Sequence, residues 1–244
     1  MARTELTQEW KDWVAHNVAR GCSITDLYNT LVREGFAPEA AEREPNMRMV
    51  ALKRFPSDRL ELYTAERFLL PQECQELIAI IKRRLRPSTI SHDGTAEASF
   101  RTSRTCDLVG GEPAVRALDE KICGAMGIAP AMAEPSQGQY YEITQEFKPH
   151  TDYFESYELE RNSTPTLGQR TWTFMVYLND VEAGGETAFV NLGLVIPPKQ
   201  GTAVLWNNLR PDGSGNYDTL HHGMPVKAGY KAIITKWFRR PRQP

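Results

Sequence analysis

From about residue 138 to the end, apolar and polar positions change over at short intervals, in GQYYEITQEFKPHTDYF, TWTFMVYLND, GGETAFVN, LGLVIPPKQGTAVLWNNL, HHGMPVKAG and YKAIITKWF. Turn signals separate these runs: Asn179-Asp180, Gly184-Gly185, Pro197-Pro198, Gln200-Gly201 and the stretch PDGSGN. Several short strands at this spacing predict a β-sandwich or jelly roll. Upstream the period lengthens. LELYTAERFL predicts a strand, and LPQECQELIAIIKRRLR predicts a helix whose basic end suits the negative pole of the helix dipole. EPAVRALDEKICGAM predicts a second helix. Between the two, PSTISHDGTAEASFRTSRT is polar and rich in Gly, Ser and Thr, which predicts a loop long enough to be functional.

The first stretch of the chain predicts a small helical unit of its own. Trp10, Trp13, Val14 and Val18 fall on one helix face. Ser23 followed by Asp26 resembles a capping box, and Gly35 stands where a second helix carrying Ile24, Leu27 and Leu31 would end. Pro38 would open a third helix. The expected division is therefore a helical N-terminal segment, residues 1–46, and a main domain, residues 47–244, of α+β class with a jelly-roll core and flanking helices.

Charge and composition narrow the function. Helices this short suggest a helix-turn-helix, but residues 1–44 hold five Lys and Arg against eight Asp and Glu, a net of −3, which opposes DNA binding. Docking of another protein and packing against the main domain are the remaining readings of that segment. The whole chain carries a formal charge of −2 and lacks a basic footprint, so no nucleic-acid partner is expected. The N-terminal MARTELTQEWKDWVAHN has no apolar signal core, and no apolar run approaches membrane-spanning length. Cys22, Cys74, Cys106 and Cys123 are scattered without C-x-x-C spacing, which argues against a zinc ribbon or a disulfide framework and for the reducing cytoplasm.

The candidate chemistry lies in the histidines. His16 falls among polar helix neighbours and reads as a surface or capping residue; His92 beside Asp93 is a poor chelate, because adjacent strand-like positions face opposite ways. His150 and Asp152 in FKPHTDYFE form the one H-x-D of the chain, and on a strand these two side chains share a face. A second histidine source, TLHHGMPV, follows at the end of another predicted strand. Two histidines and a carboxylate can make the facial triad that leaves positions open on Fe(II), although zinc hydrolases use similar ligands. Lys231, Ile233, Thr235 and Trp237 share a face of the next strand. A lysine projecting inward among apolar neighbours needs an anion such as a dicarboxylate co-substrate; the alternative is that Lys236 points inward and Lys231 outward, or that neither is buried.

Four runs then resemble the catalytic domain of the prolyl 4-hydroxylase family within the Fe(II)/2-oxoglutarate dioxygenases: Tyr141 to Asp152, Phe174 to Phe189, Val195 to Leu209, and His221 to Trp237. Upstream, RFLLPQECQELI and RTSRT resemble that family's opening strand and helix and its Arg-Thr-Ser segment. The resemblance implies a double-stranded β-helix with iron held by His150, Asp152 and His221, and with Lys231 on the distal carboxylate of 2-oxoglutarate. Spacing to Pro225 and Lys231 matches the family with His221, not His222, as ligand. Tyr141 and Thr173 would hydrogen-bond the co-substrate, and Trp237 and Arg101 would meet the substrate. The family often has glycines where this chain has Glu142 and Gln145. An intact Asp152 implies hydroxylation; in related halogenating enzymes a small residue there admits chloride.

The activity so implied consumes O₂ and 2-oxoglutarate, releases succinate and CO₂, and hydroxylates proline in a peptide or protein, with ascorbate as reductant. A hydroxylase of a free amino acid or other small molecule, and a non-catalytic binding or sensor protein, are the alternative readings. PSTISHDGTAEASFRTS and ESYELERNSTPTLGQ are the candidate loops to gate the pocket.

Overall fold

The computed structural model describes residues 2–20, 22, 24–43, 52–88, 100–109 and 111–242. Ser23, His92 with most of its loop, and the expected boundary at 46/47 lie outside the described residues. The chain divides into two compact units, Met1–Ala51 and Leu52–Pro244.

Three helices build the first unit: α1 (Gln8–Ala19), α2 (Ile24–Arg33) and α3 (Pro38–Arg43). Val14, Leu27, Leu31, Phe36, Ala40 and Ala41 form its core, with Trp10 set edge-on against both Trp13 and Phe36. Gly35, at φ 86°, supplies the left-handed turn after α2 that its position in the sequence predicts.

The second unit opens with β1 (Lys53–Arg54), β2 (Leu62–Ala65), α4 (Pro71–Arg83), β3 (Arg86–Pro87), β4 (Arg104–Leu108) and α5 (Pro113–Met126). It continues through β5 (Ser136–Tyr141), β6 (Phe147–His150), α6 (Ser156–Asn162) and β7 (Leu167–Tyr177). The remaining strands are β8 (Ala183–Gly184), β9 (Thr187–Phe189), β10 (Leu194–Ile196), β11 (Ala203–Asn207), β12 (His221–Gly223), β13 (Val226–Ala228) and β14 (Lys231–Pro241). They form an eight-stranded sheet in the order β1-β2-β11-β7-β14-β5-β4-β3, a four-stranded sheet β10-β9-β12-β6, and the pair β13-β8. Met175, Tyr177, Trp206 and Ile233 of the larger sheet share a core with Phe189 and Ile196 of the smaller one. This is the expected double-stranded β-helix.

β14 is buried along both faces, which explains its nearly unbroken apolar run. Lys231, Ile233, Thr235 and Trp237 face the space between the sheets. On the other face Lys236 reaches Asp119 of α5 at 2.8 Å, so both lysines are buried, each on its own side. Helix α4 lies close on the larger sheet at Gly138 of β5, where a Cβ would stand 2.5 Å from Ile81.

Two segments differ from expectation. FKPHTDYFE reads as continuous strand, but β6 ends at His150, because its partner β12 is short and the ladder closes on the His150–His221 pair. ESYELERNSTPTLGQ reads as an open loop, but it carries α6, whose Glu155 N–H is capped by the Glu158 carboxylate at 2.9 Å. The end of that segment is held as well: Arg239 of β14 donates to the carbonyls of Gly168 at 2.7 Å and Asn162 at 2.9 Å.

In the turn between β5 and β6 the Gln145 side chain accepts from Glu142 N–H at 2.9 Å, and Thr144 N–H donates to Val226 O at 2.8 Å. Thr144 sits at φ 72°, a left-handed conformation unfavourable for a β-branched residue. Thr144→Gly should therefore stabilise the fold by about 1 kcal/mol, a rise of about 2–4 °C in the thermal midpoint. A lowered midpoint would mean that the threonine side chain contributes more than the strain costs.

Candidate active site

His150 on β6 and His221 on β12 are direct cross-strand partners, their ring centroids 4.1 Å apart. His150 Nδ1 lies 2.8 Å from Lys148 O, and His221 Nδ1 lies 2.9 Å from Thr219 O. A carbonyl only accepts, so each Nδ1 carries a proton and each Nε2 is the nitrogen left to face the site. Asp152, just beyond β6, places Oδ1 3.9 Å from His150 Nε2 and Oδ2 3.9 Å from His221 Nε2. One donor atom from each residue lies within 4.8 Å of the others. Two imidazole nitrogens and one carboxylate oxygen suit a divalent transition metal with positions left open, so the donor set fits Fe(II).

The electrostatics agree with that fit. Burial, followed by the neighbouring His221, pushes His150 well below the ordinary imidazole range and keeps the ring neutral. Burial acts to raise the Asp152 carboxyl; His221, His150, Arg170 and a hydrogen bond from Thr173 outweigh it and hold the group below its ordinary value. Phe147 stacks on His150 at 3.5 Å between centroids, and Trp206 meets His221 at 4.9 Å, so aromatic walls fix both rings. His222 turns to the opposite side, its Nε2 2.8 Å from Glu146 Oε2. Strand alternation thus places His221, and not His222, beside His150 and Asp152.

A cleft opens from these residues between the sheets, lined also by Gln139, Tyr141, Lys231, Thr235 and Trp237. Lys231 is 1% exposed, donates to Gly185 O at 3.0 Å and sits 4.6 Å from the Tyr141 ring centroid. Among the described residues no carboxylate forms an ion pair with it. Burial lowers its amine to about 7, with Glu186 opposing. Tyr141 OH donates to Gln139 Oε1 at 2.7 Å, and Gln139 Nε2 donates to Thr235 Oγ1 at 3.1 Å, so a buried polar row runs beside the lysine.

Thr173 and Arg101 stand apart from the roles the resemblance implies for them. Thr173 is fully buried behind the triad, and its hydroxyl donates to Asp152 Oδ2 at 2.7 Å, which directs it at the carboxylate instead of the co-substrate space. Arg101 lies 4.6 Å over Phe147, on a ring that itself stacks on His150, and donates to Gln137 Oε1 at 2.8 Å. Arg170 was not anticipated. It grips Glu134 through two hydrogen bonds of 2.7 Å, lies 4.1 Å over the Trp237 ring and donates to Asp152 O at 3.4 Å. Simple alternation along β7 would turn it away from Thr173, but the register with β14 shifts between Phe238 and Arg239, opposite Trp172 and Arg170.

Residues 136–239 match the family described as the 2OG-Fe(II) oxygenase superfamily. Prolyl 4-hydroxylase 5 of Arabidopsis thaliana is 31% identical over 245 residues, covering 91% of this chain and 82% of the plant protein. The chain belongs to the prolyl 4-hydroxylase family. Prolyl 4-hydroxylase subunit alpha-1 of Gallus gallus is 34% identical over 181 residues, 70% of this chain. Those residues are 35% of the subunit, so the chain spans about a third of the length of that relative. The viral collagen prolyl hydroxylase of Paramecium bursaria Chlorella virus-1, solved as its 2OG complex, superposes with a TM-score of 0.58 and 26% identity. That match covers 73% of this chain and 96% of the viral one. Fe(II) and 2-oxoglutarate follow from membership of this family of 2OG-Fe(II) oxygenases.

The lysine gives a test that needs no ligand. Between pH about 7 and 10.5 the unfolded chain holds a proton at Lys231 that the folded chain lacks, so this group makes the fold less stable as pH falls through that window and constant below it. Lys231→Met removes the effect. The unfolding free energy of the ligand-free variant, followed by chemical denaturation, should exceed that of the parent by a margin that widens from pH 10.5 down to 7. Parallel pH curves would show that Lys231 is not a buried, unpaired cation.

Proposed function

We propose that this protein is an Fe(II)- and 2-oxoglutarate-dependent dioxygenase that hydroxylates proline in a peptide or protein, with release of succinate and CO₂. One observation carries the reading: two imidazoles and a carboxylate converge on a cleft whose far wall holds a buried lysine with no carboxylate partner among the described residues. His150 Nε2, Asp152 and His221 Nε2 would hold the metal, which with 2-oxoglutarate and O₂ supplies the oxidising chemistry. Lys231 supplies the charge that selects the distal carboxylate of the co-substrate; that anion would keep the amine protonated in a site where burial otherwise favours the neutral form. Tyr141, beneath the lysine, would turn its hydroxyl from Gln139 to the same carboxylate when the anion binds.

Met175, Trp206 and Ile233 line the cleft with apolar surface, which keeps water from the reacting centre. Trp237 lies on the substrate side with Arg170 over its ring, and Arg101 acts from behind Phe147. Thr173 serves the site through Asp152. The carboxylate at Asp152 supports hydroxylation, since no small residue leaves room for a halide there. Ascorbate as reductant rests on the family likeness alone. Among the described residues no helix is long and apolar enough to cross a membrane, and Cys74, Cys106 and Cys123 are buried and free. The free thiols support a reducing compartment, for which we propose the cytoplasm.

The direct test loads the protein anaerobically with Fe(II) and 2-oxoglutarate, then admits air over proline-containing peptides and, separately, free amino acids. Mass spectrometry should find one added oxygen on proline in the peptides; gain only in the free pool would sink the peptidyl assignment. Histidine variants test the ligand set. His150→Ala and His221→Ala should abolish succinate formation, whereas His222→Ala should retain most of it. Turnover surviving in His221→Ala and lost in His222→Ala would reverse the ligand assignment.

A further inference from the structure

The third ligand of the triad is the one not held by a strand ladder, and the polar atoms behind it lead deeper into the fold. Asp152 Oδ2 accepts the Thr173 hydroxyl proton at 2.7 Å, and Thr173 Oγ1 in turn accepts from Asn208 Nδ2 at 2.9 Å. Thr173 and Asn208 are both 0% exposed. A hydroxyl has one proton, and an amide NH₂ cannot accept, so an Asn208 that donates leaves the Thr173 proton a single destination. That destination is charged, which makes the Thr173–Asp152 bond the stronger one and favours this orientation of the amide over its flip. The relay occupies Oδ2 and leaves Oδ1, which accepts no hydrogen bond from the protein among the described residues.

Packing alone does not account for an amide at position 208. Asn208 Oδ1 is buried with no hydrogen-bond partner among the described residues, a cost that a leucine of similar volume would avoid. Asn208 also holds its own place through the backbone: its N–H donates to Thr171 O at 2.7 Å, and its carbonyl accepts from Asn216 N–H at 2.9 Å. The side chain is therefore dispensable for the local chain path, and its one satisfied contact points at the residue that holds the metal-binding carboxylate.

We infer that Asn208 is a positioning residue for Asp152: acting through Thr173, it fixes the carboxylate rotamer and commits one oxygen to the protein so that the other is presented to the metal. This rests on the reading of His150, Asp152 and His221 as the metal site. Groups placed like this behind metal ligands typically change metal affinity by about 10–100-fold when removed.

The experiment measures Co(II) binding, a redox-inert stand-in for Fe(II), by quenching of tryptophan fluorescence in the parent, Asn208→Leu, Asn208→Ala, Thr173→Val and Thr173→Ser, together with each thermal midpoint without metal. Thr173→Val should weaken Co(II) binding by about 10–100-fold and Thr173→Ser should restore it to near the parent value. Asn208→Leu should weaken binding by about tenfold while its metal-free midpoint stays level or rises, a pairing that a purely structural role would not produce. Asn208→Ala repeats the test should the leucine variant fail to fold. Asn208 variants that fold and bind Co(II) within twofold of the parent would overturn the relay and leave the metal site standing. A parent protein that binds no Co(II) would overturn the metal reading, and the relay with it.

Discussion

His150 and His221 meet because β6 and β12 pair antiparallel in one register, and the chemistry of the molecule depends on that rung. Strand side chains alternate faces, so a slip by one residue would turn His221 away and bring His222 inward. Several contacts oppose the slip. Phe189 of β9 is paired with His221 from the other side, Phe147 and Trp206 brace the two rings, and Glu146 holds His222 on the outer face. The Nδ1 atoms add a second constraint, since hydrogen bonds to Lys148 O and Thr219 O select the tautomer that leaves Nε2 free. Which histidine faces the site, and how both rings are turned, are thus consequences of short strands held in register.

Against that fixed pair stands a wall designed around an unbalanced charge. β14 carries two buried lysines on opposite faces, and they are treated differently. Lys236 has the Asp119 carboxylate, the Glu134 carbonyl and Ser136 around its ammonium, which makes it a satisfied structural cation. Lys231 has one carbonyl and the face of Tyr141. A buried amine so poorly compensated loses its proton readily, and an arriving dicarboxylate would both neutralise it and recover the desolvation cost. The strand gives the lysine on one face a carboxylate partner and, among the described residues, gives the lysine on the other face none.

Much of this was legible in the chain and some was not. The strand runs, both long helices, the H-x-D pair and the lysine ten positions past His221 could be read because each is a local pattern or a fixed spacing along one element. Between Lys231 and Lys236 the alternation left one, the other or neither as the buried lysine, and the structure shows both buried, a solution that a one-face analysis does not contain. Arg170 escaped because a register shift between β7 and β14 turns it to the side that alternation denies it. The bond from Thr173 to Asp152 forms between segments 21 residues apart, which no periodicity reports. α6 was hidden because its polar sequence lacks an apolar stripe, and none of its residues is buried.

Asp152 shows how a site can be exact where secondary structure is not. It lies past the end of β6, with no ladder to hold it. Its neighbour Tyr153 is trapped beneath the turn that precedes β12, where a Cβ on Gly215 would stand 2.4 Å from the ring. Its own carbonyl accepts from Arg170, and its carboxylate accepts from Thr173. The position is therefore set by three elements remote in sequence: β7, the turn after β11, and, through Glu134 and the Arg170 guanidinium, the segment that enters β5. A ligand held by strands tolerates change in its surroundings as long as the register survives. A ligand held by side chains is coupled to every one of them, so the carboxylate is the point at which substitutions far from the cleft can reach the metal.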